Sequence, residues 1–219
     1  MKLSYAVTVN DEYNEIVKLV ELLIENKDRE DEVVILQDIS KGETLTDNKL
    51  KVFRYLTVME KNSKEHVKFS SHALDNDFAQ QKNYLNSICK GNYIFQLDAD
   101  ETIPIFLMRN IKTILEYNSN IEAFYVPRVN TVKGITEQHI AQWGWRVNEQ
   151  GWINFPDKQM RIYKNNGKIK WERTVHEYLT GYHFNSHLPY EAQWAIRHAK
   201  KIEKQVKQNE MYKKIITGE

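Results

Sequence analysis

Hydrophobic residues in the first part of the chain alternate between short unbroken runs and runs with helical spacing. The runs Leu3 to Val9 and Glu32 to Asp38 are rich in β-branched and aliphatic residues, as is typical of strands covered on both faces. Between these runs, apolar residues recur on one helix face, at Ile16, Val17, Val20, Leu23 and Ile24. The pattern predicts a strand–helix unit, followed by a second strand and a polar loop over residues 39–49.

The same alternation continues to about residue 117. Residues 52–58 and 66–71 are predicted as further strands, and residues 75–92 as a helix that is capped by Asp75 to Asp77 and stopped by Gly91. The run Tyr93 to Leu97 predicts another strand, and a helix with Pro104 in its first turn follows. This order predicts an α/β fold with a mainly parallel, doubly wound sheet and helices on both faces.

The second half of the chain has a different pattern. Residues 122–132 predict a strand, 139–157 an aromatic loop, and 159–171 a small antiparallel hairpin with Asn166 and Gly167 in its turn. From about Glu191 the pattern predicts a helix that continues into a lysine-rich C-terminal tail. On such a helix His198, Lys201 and Lys204 would share one face.

Composition narrows the function classes. The chain has 219 residues, with 31 Lys and Arg against 30 Asp and Glu, and this near-neutral balance argues against a nucleic-acid binder. The N-terminus is too polar for a secretory signal, and no apolar run approaches the length of about 18 residues expected of a membrane span. We therefore expect a cytoplasmic, soluble protein with at most peripheral membrane contact. The single cysteine, Cys89, excludes an intrachain disulfide and is expected to be a buried hydrophobe.

Polar residues stand where the predicted strands end. Asp98, Asp100 and Glu101 follow the strand at Tyr93 to Leu97, and Asn10 and Asp38 end two earlier strands. Ligands of doubly wound sheets bind outside the carboxyl ends of the strands. Two carboxylates one residue apart favour Mg²⁺ or Mn²⁺, whose remaining positions suit phosphate oxygens. The alternative is a solvated helix N-terminus, where the helix dipole stabilises acidic side chains.

Several segments, in order, resemble family 2 glycosyltransferases of the GT-A fold. The segment GNYIFQLDADE is similar to the Asp-X-Asp segment of that family, and VTVNDEYNEIVKLVELL is similar to its opening strand and helix. The segment DFAQQKNYLNSICKGNYI resembles the helix before the Asp-X-Asp strand. The segment FPDKQMRIYKNNGKIKWERTVHEYL and the C-terminal tail resemble the lipopolysaccharide-core type of bacterial enzyme. The segment LQDIS departs from the family pattern, which weakens the uridine contact expected after Asp38.

The resemblance implies a metal-dependent transfer of a sugar from a nucleotide-diphosphate sugar, with a UDP-sugar favoured as donor and a saccharide as acceptor. Mn²⁺ or Mg²⁺ would be held by Asp98, Asp100 and His198. The residues expected to bind the nucleotide sugar are Thr8, Asn10, Asp11, Asp38, Lys82, Asn83, Asp98 and Lys201. Whether Asp11 or Glu12 takes the acidic place after the first strand is left open.

The resemblance also implies a division of the chain. Residues 1–189 would form the GT-A domain, with a nucleotide-sugar half over 1–101 and an acceptor half over 102–189. Residues 190–219 would form a helical tail that closes over the active site. Trp143, Trp145 and Trp152 could stack against an acceptor sugar, although packing within the protein is the commoner role of such residues.

A direct displacement needs a carboxylate that removes the proton of the acceptor hydroxyl. Glu177 is the expected base, with Glu172 and Asp157 as alternatives, and inversion is the expected outcome, with retention left open. A nucleotidyltransferase and a non-catalytic nucleotide-sugar-binding module are the competing functions. The acidic, glycine-free segment TVNDEYNE disfavours the first of them. A DNA-modifying glucosyltransferase is disfavoured by the near-neutral charge.

Overall fold

The computed structural model describes residues 1–40, 42–63 and 66–217, with side chains described as far as Glu210. Lys41, in the predicted polar loop, and the last two residues of the predicted tail lie outside the described residues. The helices are α1 (Tyr13–Asn26), α2 (Asp47–Ser63), α3 (Phe78–Ile88), α4 (Ile105–Tyr117), α5 (Glu137–Trp143) and α6 (Ile202–Thr217). The strands are β1 (Leu3–Val9), β2 (Glu32–Asp38), β3 (Val67–His72), β4 (Tyr93–Asp98), β5 (Glu101–Thr102), β6 (Ala123–Lys133), β7 (Ile153–Lys164), β8 (Lys170–Glu172), β9 (Tyr178–Thr180), β10 (Asn185–His187) and β11 (Ile196–Lys201).

The main sheet has the strand order β3-β2-β1-β4-β7-β6-β11-β5, and β10 pairs with β6. Its first four strands are parallel, so their carboxyl ends lie along one edge of the sheet. β7 is antiparallel to both β4 and β6, and β11 is parallel to β6. The predicted mainly parallel α/β sheet is therefore confirmed, and the antiparallel β7 is inserted near its middle.

Helices cover both faces of this sheet. One core lies between the sheet and the helices α1, α2 and α4, and it includes Tyr5, Leu19, Leu56 and Ile111. The other core lies on the opposite face and joins α3 to a two-stranded sheet formed by β8 and β9. Cys89 is buried in this second core, as predicted. Neighbouring residues of a strand point to opposite faces, which is why the fully covered strands β1, β2 and β4 show no polar alternation.

The predicted strand at residues 52–58 is wrong, because these residues lie within α2. Their β-branched and aromatic side chains suggested a strand. The buried members, however, are Lys49, Val52 and Leu56, whose spacing of three and four residues places them on one helix face. Tertiary packing of that face outweighs the local preference for a strand.

Two further details differ from the prediction. The strand β7 does not form a hairpin with β8; β8 pairs with β9 instead, with Trp171 opposite Leu179. The small antiparallel hairpin is therefore present, but it begins about ten residues later than expected. Helix α3 ends at Ile88, before Gly91. Gly91 is needed for close packing, since an added Cβ would lie 2.6 Å from the backbone nitrogen of Ser4.

The predicted helix from about Glu191 is also wrong in its first part. Residues 196–201 form the strand β11, and helix α6 begins only at Ile202. Along β11 the more buried side chains are Ile196, His198 and Lys200, which is the two-residue period of a strand. Polar groups occupy two of these inward positions, so hydrophobic periodicity does not reveal the strand.

Candidate active site

A cleft of about 1160 Å³ opens at the carboxyl ends of β1, β2 and β4. It is lined by most of the predicted site residues: Thr8, Asn10, Asp11, Asp38, Lys82, Asp98, Asp100, Glu177 and His198. Asn83 and Lys201 are not among the lining residues. The cleft lies where ligands of doubly wound sheets bind.

Asp98 ends β4 and is held from two sides. Thr8, its neighbour across the β1–β4 pair, donates a hydrogen bond of 3.0 Å to Oδ1. The guanidinium of Arg161, on β7, lies 2.8 Å from Oδ2. Burial disfavours the charged carboxylate, but the charges of Arg161 and Lys82 outweigh that cost and hold the pKa of Asp98 well below its usual range. Asp98 is therefore an ionised carboxylate with a fixed orientation.

Glu101 and two arginines form the floor beneath Asp98. The carboxylate of Glu101 is fully buried and contacts Arg161 at 2.6 Å and Arg128 at 3.1 Å. Glu101 also accepts a hydrogen bond from the backbone N–H of Asp98. A buried carboxylate is tolerated only when it is paired and hydrogen-bonded, and both conditions hold here. Glu101 serves this floor and does not line the cleft.

Asp157 continues the network on the side of β6. Its Oδ2 atom accepts hydrogen bonds from Nε of Arg128 at 2.9 Å and from Nδ2 of Asn130 at 2.7 Å, and Oδ1 accepts one from Gln159. Burial opposes the charged form, but Arg128 and these donors lower the pKa of Asp157. Three donors occupy this alternative base, which makes it a poor proton acceptor.

The pairing of β5 with β11 brings His198 to the acidic cluster. His198 stands opposite Glu101 in that pair, so its Nε2 atom lies 3.4 Å from Oδ2 of Asp100. Lys204, from the first turn of α6, lies 3.1 Å from the same oxygen and 3.1 Å from Oε1 of Glu12. Burial of Asp100 is outweighed by His198 and Lys204, which lower its pKa below the usual range.

Of the two neighbouring lysines at the end of β11, Lys200 lines the cleft and the predicted Lys201 does not. Lys201 points away from the cleft and is exposed, whereas Lys200 lines it and donates a hydrogen bond of 2.5 Å to Gln208. Burial lowers the pKa of Lys200. The one-residue difference follows from β11 being a strand, because adjacent residues of a strand face opposite sides.

Glu177, the predicted base, lies at the cleft wall and contacts Lys82. Its Oε1 atom is 2.5 Å from Nζ of Lys82, and both side chains are largely buried. The ammonium of Lys82 also lies 4.5 Å from the ring centroid of Trp171. Asn83 exchanges two hydrogen bonds with the backbone of Trp171, at 2.8 and 2.9 Å, and so joins α3 to β8. Asn83 therefore supports the wall from outside the cleft.

The remaining predicted residues lie around the rim. The backbone N–H of Asn10 donates to Glu12 at 2.9 Å, and Oδ1 of Asp38 accepts from the backbone of Leu74 at 2.9 Å. Glu172, the other alternative base, is exposed, contacts Thr180 and does not line the cleft.

The donor set of this cleft suits a hard divalent cation. Asp98 and Asp100 offer carboxylate oxygens and His198 offers an imidazole nitrogen, a combination that Mn²⁺ accepts. In the described ranges, no three or more His, Cys, Asp and Glu side chains stand close enough to hold a metal as they are. Lys204 places an ammonium at Asp100, the position where a bound cation would balance the same charge. The residue types therefore fit, and Lys204 would have to move.

Sequence reasoning missed three residues that hold this arrangement together: Arg128, Asn130 and Arg161. Each lies in the interior of a long strand, β6 or β7, where only the pairing register decides which side chains meet. A buried arginine between apolar neighbours, as at Arg161 beside Ile162, is the one signal that could have indicated a charged floor.

No family model matches the chain, and no curated protein matches it in sequence. The structure, however, is similar to crystal structures of TarS from S. aureus. TarS 1-349 in complex with UDP-GlcNAc gives a TM-score of 0.59 and 15% identity, over 91% of this chain and 59% of that chain. The complex of TarS 1-349 with UDP gives a TM-score of 0.60 and 15% identity, over 91% and 60%. This chain has the GT-A fold.

The GT-A fold of this chain spans about three fifths of the length of the TarS fragment it matches. At 15% identity the similarity establishes the fold, and the fold predicted from the sequence is thereby confirmed. None of the helices described here is both long and apolar enough to cross a membrane.

Proposed function

We propose that this chain is a metal-dependent glycosyltransferase that moves a sugar from a nucleotide-diphosphate sugar to a saccharide acceptor, with inversion at the anomeric carbon. One observation carries the proposal: Asp98, Asp100 and His198 line the same large cleft of a GT-A fold at the carboxyl edge of the parallel strands, with His198 3.4 Å from Asp100. Asp98 and Asp100 are adjacent to one strand end, and His198 arrives from a strand almost a hundred residues later.

Asp98, Asp100 and His198 would hold Mn²⁺ or Mg²⁺. When bound, such a metal stabilises the negative charge that develops on the diphosphate leaving group. Arg161 and Thr8 keep the carboxylate of Asp98 ionised and oriented for that role. The lysines Lys200 and Lys204, which reach the same end of the cleft, would balance phosphate charge.

The nucleotide would lie over the ends of β1 and β2, in the half formed by residues 1–101. Thr8, Asn10, Asp11 and Asp38 line this part of the cleft. A UDP-sugar is the favoured donor, and this choice is supported by the structural similarity to TarS in complex with UDP-GlcNAc and with UDP.

The acceptor would enter from the half formed by residues 102–189. Trp145 lines this side of the cleft, and its ring centroid lies 4.7 Å from that of Trp143. Half-buried aromatic rings at the wall of a cleft suit a sugar ring. Trp152 packs against Phe155 instead, at 4.9 Å between ring centroids, which favours a structural role.

Glu177 would accept the proton of the acceptor hydroxyl. It lines the cleft, whereas Glu172 does not and Asp157 is occupied by three donors. The contact with Lys82 uses Oε1 and holds the carboxylate at the wall, so the proton would be transferred to Oε2.

The proposal is tested by incubating the protein with a panel of nucleotide sugars and Mn²⁺ and measuring release of the nucleoside diphosphate. Release should depend on the metal, should be fastest with a UDP-sugar, and should increase on adding saccharide acceptors. Asp100→Ala should abolish it, while Asp47→Ala, which removes an exposed carboxylate on α2, should not. Release that is equal in chelator, or equal in the Asp100→Ala variant, would contradict the proposal.

A further inference from the structure

Asn130 lies between a carboxylate and the imidazole of His198. Its Nδ2 atom is 2.7 Å from Oδ2 of Asp157, and its Oδ1 atom is 3.0 Å from Nδ1 of His198. On the other side of the ring, Nε2 of His198 lies 3.4 Å from Asp100. These contacts form a line from Asp157 through Asn130 and His198 to Asp100.

The amide of Asn130 can take only one orientation in this line. An ionised carboxylate only accepts hydrogen bonds, so the group that faces Asp157 must be the NH₂ of the amide. Arg128 pairs with the same oxygen of Asp157 and favours its ionised form. The carbonyl oxygen of Asn130 is then left facing His198. This conclusion follows from the chemistry of Asp157 and does not depend on distinguishing the two amide atoms by position.

A carbonyl oxygen only accepts, so the His198 nitrogen that faces it must carry the hydrogen. In a neutral imidazole the other nitrogen then has the free lone pair. We propose that Asn130 is a positioning residue that keeps the His198 hydrogen on Nδ1, in competition with Asp100, whose Oδ2 atom lies 3.4 Å from Nε2 and would favour hydrogen there. With the hydrogen on Nδ1, the Nε2 lone pair faces the position beside Asp100. Its consequence for metal binding rests on the proposed function.

The strand register explains why this contact is built into the fold. Asn130 and His198 are direct partners in the parallel pair of β6 and β11, and His198 and Glu101 are partners in the antiparallel pair of β11 and β5. Asn130 is half-buried and the side chain of His198 is 11% exposed, so water is largely kept from the ring. Ligating histidines depend on such partners of the second nitrogen, and losing one typically weakens metal affinity by about 10- to 100-fold.

The experiment is a long-range ¹H–¹⁵N correlation spectrum of the metal-free protein at alkaline pH, where imidazole is neutral. The His198 signals are assigned by their loss in His198→Gln. The wild-type ring should carry its hydrogen on Nδ1. Asn130→Ala should move it to Nε2, the preferred site of imidazole in water.

Mn²⁺ affinity, followed by the EPR signal of the free ion, gives the second readout. Asn130→Ala should weaken binding by about 10- to 100-fold. The matched control is Asn165→Ala, which removes a half-buried amide that donates to Cys89 and Gly91 on another part of the sheet. It should leave both readouts unchanged.

A wild-type ring with its hydrogen on Nε2 would overturn the inference. So would an Asn130→Ala protein with the wild-type tautomer and the wild-type Mn²⁺ affinity. A wild-type protein that carries Nδ1–H but binds no Mn²⁺ would overturn the metal role of the proposed function instead, with the ring orientation confirmed. The wild-type spectrum decides the orientation even if Asn130→Ala fails to fold.

Discussion

The N-terminal strands and the C-terminal strand supply the cleft in different ways. β1, β2 and β4 are apolar runs whose polar residues follow directly in the sequence, so Thr8, Asp38 and Asp98 reach the cleft because each strand ends there. β11 is polar, and it reaches the cleft because it is paired between β6 and β5. The pairing register of β11 with β5 and β6 therefore brings His198 close to Asp100.

The two regions should therefore respond differently to substitution. A change at the end of β4 acts on one side chain, whereas a change in β11 or in the floor beneath it acts on several contacts at once. The floor residues Arg161, Glu101 and Arg128 join the two regions. The predictions below test whether stability depends on the floor and whether ligand binding depends on the strand ends.

The largest effect is expected for Arg161→Met. Arg161 is 3% exposed and faces two carboxylates, of which Glu101 is fully buried. Removing its charge leaves Glu101 incompletely paired, so the free energy of unfolding should fall by about 3–5 kcal/mol. Chemical denaturation measures this change, with Arg109→Met on the exposed side of α4 as control. A loss no greater than that of the control would show that the floor does not hold the two regions together.

Asp100→Ala should act on binding with little effect on stability. Asp100 contacts His198 and the exposed side chain of Lys204, and none of the ion pairs described for Asp100 is to a buried arginine. Mn²⁺-dependent binding of UDP should weaken by at least about a hundredfold, as expected for a lost metal ligand, by calorimetric titration. Asp98→Ala is a less clean test because Arg161 would lose a partner. Wild-type affinity in Asp100→Ala would contradict the metal assignment.

Glu177→Gln should lower turnover by about a hundredfold while donor affinity stays close to normal. The amide retains the size of the side chain but cannot accept the proton. Steady-state kinetics with a UDP-sugar and an acceptor measure the effect. Glu172→Gln is the matched control, since Glu172 is exposed outside the cleft. A larger loss of turnover in Glu172→Gln than in Glu177→Gln would indicate that Glu172 is the base.

The smallest effect is expected for Lys204→Ala. Its ammonium lies 3.1 Å from Asp100 and 3.1 Å from Glu12, where it competes with a bound cation. Affinity for Mn²⁺ without nucleotide should therefore rise by a few fold, as estimated for a partly exposed charge pair. Lys201→Ala should leave this affinity unchanged, because Lys201 faces away from the cleft. Equal changes in both variants would contradict the assignment of this effect to the contact between Lys204 and Asp100.

Hydrogen exchange compares the strand β11 with the helix α6 that follows it. β11 is paired with β6 along its length and with β5 at Arg197 and His198, so its hydrogen-bonded amides should be protected with or without ligand. A tail that closes over the donor should show added protection in the first turns of α6, from Ile202, when UDP and Mn²⁺ are present. Protection that does not change in α6 would remove the tail from the proposed closure.

The sequence was informative where a local pattern decides the structure. The runs at β1, β2 and β4 and the helical spacing in α1 and α4 were predicted, because burial of one face or of both faces leaves a regular pattern. Asp98 and Asp100 were found for the same reason, since they follow a buried strand directly.

The remaining features depend on partners far along the chain. Residues 196–201 were predicted as helix because their strand period is carried by His198 and Lys200, which are polar. The roles of Arg161 and Asn130 follow from strand register, and no local pattern encodes a register between residues 27 to 68 positions apart. Local sequence patterns therefore predict the side of the cleft formed by the ends of β1, β2 and β4 better than the side formed by β6, β7 and β11.

The most direct test of the proposed metal site is the thermal stability of the wild-type protein and of His198→Gln, each measured with UDP in the presence and absence of Mn²⁺. A ligand that binds only the native state stabilises it by about 2.7 kcal/mol at a hundred times its Kd. UDP should raise the wild-type Tm markedly only when Mn²⁺ is present, and most of this increase should be lost in His198→Gln. An increase that is equal without Mn²⁺, or equal in the variant, would contradict a metal site built from the end of β4 and the strand β11.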